Sequence, residues 1–199
     1  NHSLLFCDLA ADGGLLPPIR YWVVDEAHGA ENEARRAFSL ELAEEDILSL
    51  AHRVSSDEAR RNVFLRAERT VIAPANDSAA TLFYSLTTKA RHAGANFASA
   101  AEEFCGHMKD LLYYDTNKRS KGYENVDLWL NDEIRAGSIF RTLAEHGKAM
   151  AESAEKMVTA SQELVGYLED VEGAAVVQRE IAAVAMELKE IIQAVDVIC

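Results

Sequence analysis

The sequence predicts a mainly α protein: long antiparallel helices in an arch-like bundle, preceded by a short N-terminal segment of α/β character. Three observations carry that expectation. Proline occurs only at Pro17, Pro18 and Pro74, so the chain from Asp77 to Cys199 is proline-free and rich in Ala, Glu and Leu, a composition that favours helix. Apolar residues in that stretch recur at alternating steps of three and four, which marks helical seams. One short apolar run, Tyr21-Trp22-Val23-Val24, stands alone near the N-terminus and has no polar alternation. That pattern suits a strand buried on both faces of a parallel sheet.

Taken in order, residues 2–10 read as a short helix ending near Gly13-Gly14, and Leu15-Leu16-Pro17-Pro18 reads as a turn. Residues 21–24 are the expected strand. Glu31 to Val54 reads as one amphipathic helix with Ala34, Phe38, Leu42, Ile47 and Leu50 on its apolar side. Ser55-Ser56-Asp57 is the expected cap of a further short helix over 57–69. Beyond the break at Pro74, a long helix spans 78–114 with Leu82, Leu86, Ala90, Ala93, Phe97, Ala101, Phe104, Met108 and Leu111 as its seam. Unbroken, it would be roughly 55 Å long. Residues 116–122 form a polar, basic turn, and 125–130 a short extended piece. The second long helix follows Asn131 or Asp132, with a seam from Phe140 through Leu168. The third begins after Gly173, with Val177, Ile181, Val184, Leu188, Ile191, Val195 and Ile198. Short turns between such helices imply antiparallel packing at shallow angles.

The 199 residues suggest one domain or slightly more, and 49% hydrophobic against 27% charged content supports a packed core. A net charge of −13 argues against a general nucleic-acid binder, although it leaves room for a local basic patch. Cys7, Cys105 and Cys199 fit no zinc or disulfide spacing, as expected of free thiols in a reducing, cytoplasmic setting. No apolar run reaches the length of a membrane span. The chain opens Asn-His-Ser, without an initiator Met or a signal-like segment, and reads as a piece of something longer.

The chemistry concentrates at Asp25-Glu26-Ala27-His28. Carboxylates at the C-terminal end of a parallel strand stand at the ligand-binding edge of an α/β sheet. In nucleotide hydrolases an acid there holds Mg²⁺, while a phosphate loop cradles the phosphates. A second carboxylate beside it can orient or deprotonate the attacking water.

Asn1-His2-Ser3-Leu4-Leu5, the loop ending Leu15-Leu16-Pro17-Pro18, and Trp22-Val23-Val24-Asp25-Glu26-Ala27-His28 together resemble the segment around motif II of the XPD/DinG family of superfamily-two DEAH-box DNA helicases. The pattern resembles that of bacterial DinG-like members. In that family a helical arch domain is inserted after the DEAH strand, and the long-helix region occupies that place here. Residues 127–135 are similar to the segment that introduces the late arch helices. The resemblance implies a remnant of RecA-like motor domain 1 over 1–34 and an arch over 35–199. It implies ATP and Mg²⁺ as cofactors, with Asp25 on the metal through water, Glu26 activating the attacking water, and His28 coupling the nucleotide site to other helicase motifs. It further implies an ATP-dependent enzyme of DNA replication or repair that translocates 5′ to 3′ on single-stranded DNA, the arch helping to enclose the strand. The remaining motor domains of the same polypeptide would be its partners.

The sequence holds no G-x-x-x-x-G-K-[ST] loop, so the chain alone is expected to be inactive. Many members carry an iron–sulfur cluster whose ligands precede the Asn-His block. Cys7 follows that block and is not expected to be one of them.

Two further groups stand out. Lys118, Arg119 and Lys121 are the dense basic cluster of the sequence, with Tyr113, Tyr114 and Tyr123 nearby. Phosphate-backbone contact with base stacking, and a plain solvated turn, are both readings of it. His92, His107 and His146 fall on expected helices. Glu103 and His107 share a face but lack the Glu-x-x-His spacing of a di-iron bundle, so metal is not expected there. A second reading of the whole chain is a non-catalytic helical interaction module in which the DEAH match is fortuitous.

Overall fold

The computed structural model describes residues 2–11, 13–18, 20, 21, 23, 25–40, 42–71, 77–116 and 128–199, and the side chains of these apart from 77, 78 and 114–116. Every regular element among the described residues is helical: eight α-helices and one 3₁₀ turn. The chain divides into two units, Asn1–Glu41 and Leu42–Cys199.

The N-terminal unit contains α1 (His2–Ala10), the 3₁₀ turn (Ala27–Gly29) and α2 (Ala30–Phe38). No residue of α1 or α2 is buried. The strand expected at 21–24 does not form at Tyr21 or Val23, which are irregular and exposed. Trp22 and Val24 lie outside the described residues. A strand needs a neighbour to pair its N–H and C=O groups, and no second strand exists among the described residues. The single helix expected over 31–54 is two helices, because the chain turns extended at Ser39 and again at Ala43. The unit border therefore falls after α2, later than the 34/35 boundary read from the sequence.

The helical unit begins with α3 (Glu44–Ser55) and α4 (Val63–Thr70). Three acids in the first turn of α3 and His52 and Arg53 in its last turn suit the helix dipole. The cap of α4 is Asn62, not Ser55-Ser56-Asp57. Its side-chain oxygen accepts from Phe64 N at 2.9 Å and Leu65 N at 3.2 Å. Its amide donates to Val54 O at 3.1 Å and Ser56 O at 2.9 Å. All of this happens at 2% exposure, so one buried side chain ties the end of α3 to the start of α4.

The rest is three long helices and a short one: α5 (Asp77–Thr116), α6 (Asp132–Ala136), α7 (Ser138–Leu168) and α8 (Ala175–Ile198). At 40 residues, α5 runs about 60 Å. Asn131 caps α6 by accepting from Ile134 N at 2.9 Å. Gly137 then interrupts the helix with an extended backbone before α7. Residues 128–130 are non-helical, and Leu128 and Leu130 rest on the core while Trp129 faces solvent.

Cross-helix contacts give the directions. Tyr167 Oη donates to Ala79 O at 3.0 Å, Lys89 pairs with Glu163, and Phe104 lies against Gly147. As α5 ascends, its partners on α7 descend, so the two are antiparallel. Gln178 donates to Val165 O, while Val195 and Cys199 reach Gly147, so α8 is antiparallel to α7. Val54 meets Gly94, and Glu44 meets Lys109, so α3 is antiparallel to α5. A Cβ at Gly94 would stand 2.6 Å from Val54 O, so only glycine lets the two backbones approach this closely.

The core contains Phe64, Phe83, Phe97, Phe104, Met150, Met157, Leu164 and Ile181, all closed to solvent. Each such side chain contributes roughly 1.5–3 kcal/mol by leaving water. Every seam residue expected on α7 is buried. On α5 the first expected seam residue, Leu82, is 51% exposed and Phe83 is buried in its place, with its ring stacked 5.8 Å from Tyr167.

Candidate functional site

The DEAH residues belong to the N-terminal unit, where a tightly wound loop positions them. After α1, Asp8 holds the chain reversal: its Oδ1 accepts from Leu15 N at 2.7 Å and Leu16 N at 3.0 Å, and its carbonyl accepts from Gly13 N. Gly13 and Gly14 both have positive φ, which glycine adopts without steric cost. The Leu15-Leu16 turn thus starts from a fixed point on α1. Asp8 was not singled out from the sequence. Its only signal is an acid at a helix end ahead of a Gly-Gly pair.

Asp25 Oδ1 accepts from the backbone N–H of Glu26 at 2.9 Å. Glu26 itself is left-handed, with φ 55° and ψ 42°, and it is the one non-glycine residue with positive φ among those described. A glutamate in that region carries a steric cost. Its carbonyl accepts from Gly29 N at 3.0 Å, closing the 3₁₀ turn. The turn swings His28 back, so that its Nδ1 lies 3.3 Å from Glu26 Oε2 with both side chains largely in water. At such exposure a pairing of this kind is weak and easily exchanged.

Asp25, Glu26 and His28 line an open cleft of about 1240 Å³ together with His2, Arg35 and Arg36. The two sequence blocks that carry the family resemblance, His2 from the first and the DEAH residues from the second, thus meet at one cavity. Arg35 pairs with Glu31 at 2.8 Å and Arg36 with Glu33 at 3.6 Å. Their i,i+4 and i,i+3 spacing on α2 was visible in the sequence, but their place at the cleft was not.

Asp25 offers a carboxylate to solvent that could sit in the hydration shell of Mg²⁺. That ion typically takes one or two protein carboxylates and completes its shell with water and phosphate oxygens. The fit is thus to one part of a Mg–nucleotide site. Among the described residues no set of three or more His, Cys, Asp or Glu side chains is arranged to hold a metal by itself.

Lys118, Arg119 and Lys121 lie outside the described residues, as does Tyr123. Tyr113 is exposed at the end of α5. The histidines pair differently from the i,i+4 relation noted in the sequence. Glu103 meets His146 of α7 at 3.2 Å, while His107 meets Asp110 at 3.5 Å. The rings of His107 and His146 pack with centroids 4.2 Å apart. All three cysteines are free thiols. Burial raises Cys105 to about 11. Cys199 is raised as well, chiefly by burial, with Arg135 acting against it. A side-chain hydrogen bond to Glu44 raises Lys109.

No protein-family model, curated protein or solved structure matches the chain. Among the described residues no helix is long and apolar enough to cross a membrane.

Proposed function

We propose that residues 1–41 are the motif II segment of a RecA-like helicase motor and that the helical unit is its arch, within an ATP-dependent DNA helicase acting on single-stranded DNA. One observation carries this reading: His2, Asp25, Glu26 and His28 border a single cleft. The left-handed backbone at Glu26 supports it, since such conformations cluster where a side chain must be aimed. Asp25 would hold the Mg²⁺ of bound nucleotide through water, the metal supplying charge neutralisation between the phosphates. Glu26 would leave its contact with His28 to orient and deprotonate the attacking water. His28 would then be free to respond to the neighbouring motor segment. The phosphate cradle would come from the rest of the motor, because this sequence has no phosphate loop.

The test is Glu26→Gln in the full-length helicase, with DNA-stimulated ATPase measured beside nucleotide affinity. The amide keeps the reach of the side chain but cannot take a proton. Turnover should fall by roughly two to four orders of magnitude, with ATP affinity largely kept. Near-normal turnover would sink the reading. The self-contained core of the helical unit favours the rival reading, a non-catalytic interaction module. A reading frame without a Walker A loop upstream would support that rival.

A further inference from the structure

We propose that the groove between α3, α4 and α8 is a binding site for a small phosphate-bearing molecule. The groove is about 450 Å³, lined by His52, Arg53, Arg60, Arg61 and Arg66 and by one carboxylate, Glu180, with Val63 and Ala183 among its apolar walls. That size suits a metabolite-scale ligand rather than a polymer. Four arginines around one groove are a local exception in a chain of net charge −13, and planar guanidinium forks match the oxygens of a phosphate group.

The arginines divide into two kinds. Arg53 is bound in a fork by Glu187, at 2.9 and 3.0 Å, and Arg66 is bound by Glu180 at 2.9 Å. These pairs anchor one wall to α8 and hold its shape. Arg60 pairs with no carboxylate among the described residues. Arg61 has one carboxylate contact, exposed and i,i+3, to Glu58 at 3.3 Å, which a doubly charged anion could displace. Arg61 Nη1 also lies 3.3 Å from His52 Nε2. The backbone of the turn that carries Arg60 and Arg61 is pinned by Glu58 O, which accepts from Arg61 N and Asn62 N, and by the fully bonded Asn62. A rigid turn spares a ligand the cost of ordering it. The sequence hid this site: beside Asp57 and Glu58, Arg60 and Arg61 look locally neutral, and the far wall lies more than a hundred residues away.

The proposal does not depend on the helicase reading. The test is calorimetric titration of the full chain with inorganic pyrophosphate, at ionic strength matched with chloride. Saturable one-site binding is expected. Arg60→Gln with Arg61→Gln should weaken it by about tenfold or more with an unchanged melting temperature, and Arg179→Gln, outside the groove, should leave it intact. Absence of saturable binding, or equal binding by the double variant, overturns the proposal. A single-stranded oligonucleotide that binds more tightly than pyrophosphate through the same arginines also overturns it, because the site would then serve a polymer backbone.

Discussion

The two units treat their hydrophobic residues in opposite ways. The helical unit closes its phenylalanines, leucines and methionines into one continuous core, whereas α1 and α2 bury nothing and leave Tyr21 and Val23 to solvent. Yet the residues of the N-terminal unit with the strongest chemical signature stand on the less buried scaffold. Periodicity and burial thus identify what holds a chain together. They say little about where it acts, because a reactive carboxylate must meet water and ligand while a core residue must not.

The sharpest break of this contrast is a cavity in the helical unit. Phe97→Ala empties a site fully closed to solvent on α5 and should cost about 3–5 kcal/mol, read from urea denaturation followed by circular dichroism. A loss below roughly one kcal/mol would mean that the helices do not share a tight core. Asn62→Ala comes next. It removes four hydrogen bonds at the α3–α4 junction and should cost about 1–2 kcal/mol for the cap alone, more where Val54 O is left buried and unpaired.

Alkaline pH is a gentler probe. The Cys105 thiol is held near 11 against an ordinary value of 9.0, so the folded chain keeps this proton longer than the unfolded chain does. Its contribution to stability is fully present below about pH 9 and is lost as pH rises towards 11. Cys105→Ala should flatten that part of the stability profile. The smallest effect is expected in the other unit. Val23→Thr, at a fully exposed position, should change stability by no more than about 0.5 kcal/mol. A large loss there would show that Val23 is packed against a neighbour.

The same contrast sets how much could be read in advance. On α7 each expected seam residue from Phe140 to Leu168 is buried, because one face of that helix meets both α5 and α8. On α5 two overlapping stripes, one through Leu82 and one through Phe83, both fit helical spacing. The choice fell to Tyr167, a residue 84 positions from Phe83 in the sequence that stacks on its ring. The break between α2 and α3 has no proline or glycine to announce it. Asn62 looked like an ordinary polar residue because its partners include Val54 O, across the turn. At the cleft, the DEAH tetrapeptide named its residues by their order alone, while the contributions of Asp8, Arg35 and Arg36 needed the folded loop.

The three thiols differ in how readily a reagent reaches and ionises them. Cys105 is buried with its proton tightly held, while Cys199 is solvent-exposed with a thiol raised by partial burial of its sulfur. Cys7, on α1, faces solvent. An alkylating dye near neutral pH should therefore mark the DEAH-bearing unit first, since the thiolate is the reacting species and access sets the rest. With Cys199→Ser, the one exposed thiol left is Cys7, and a single fluorophore would report on that unit alone.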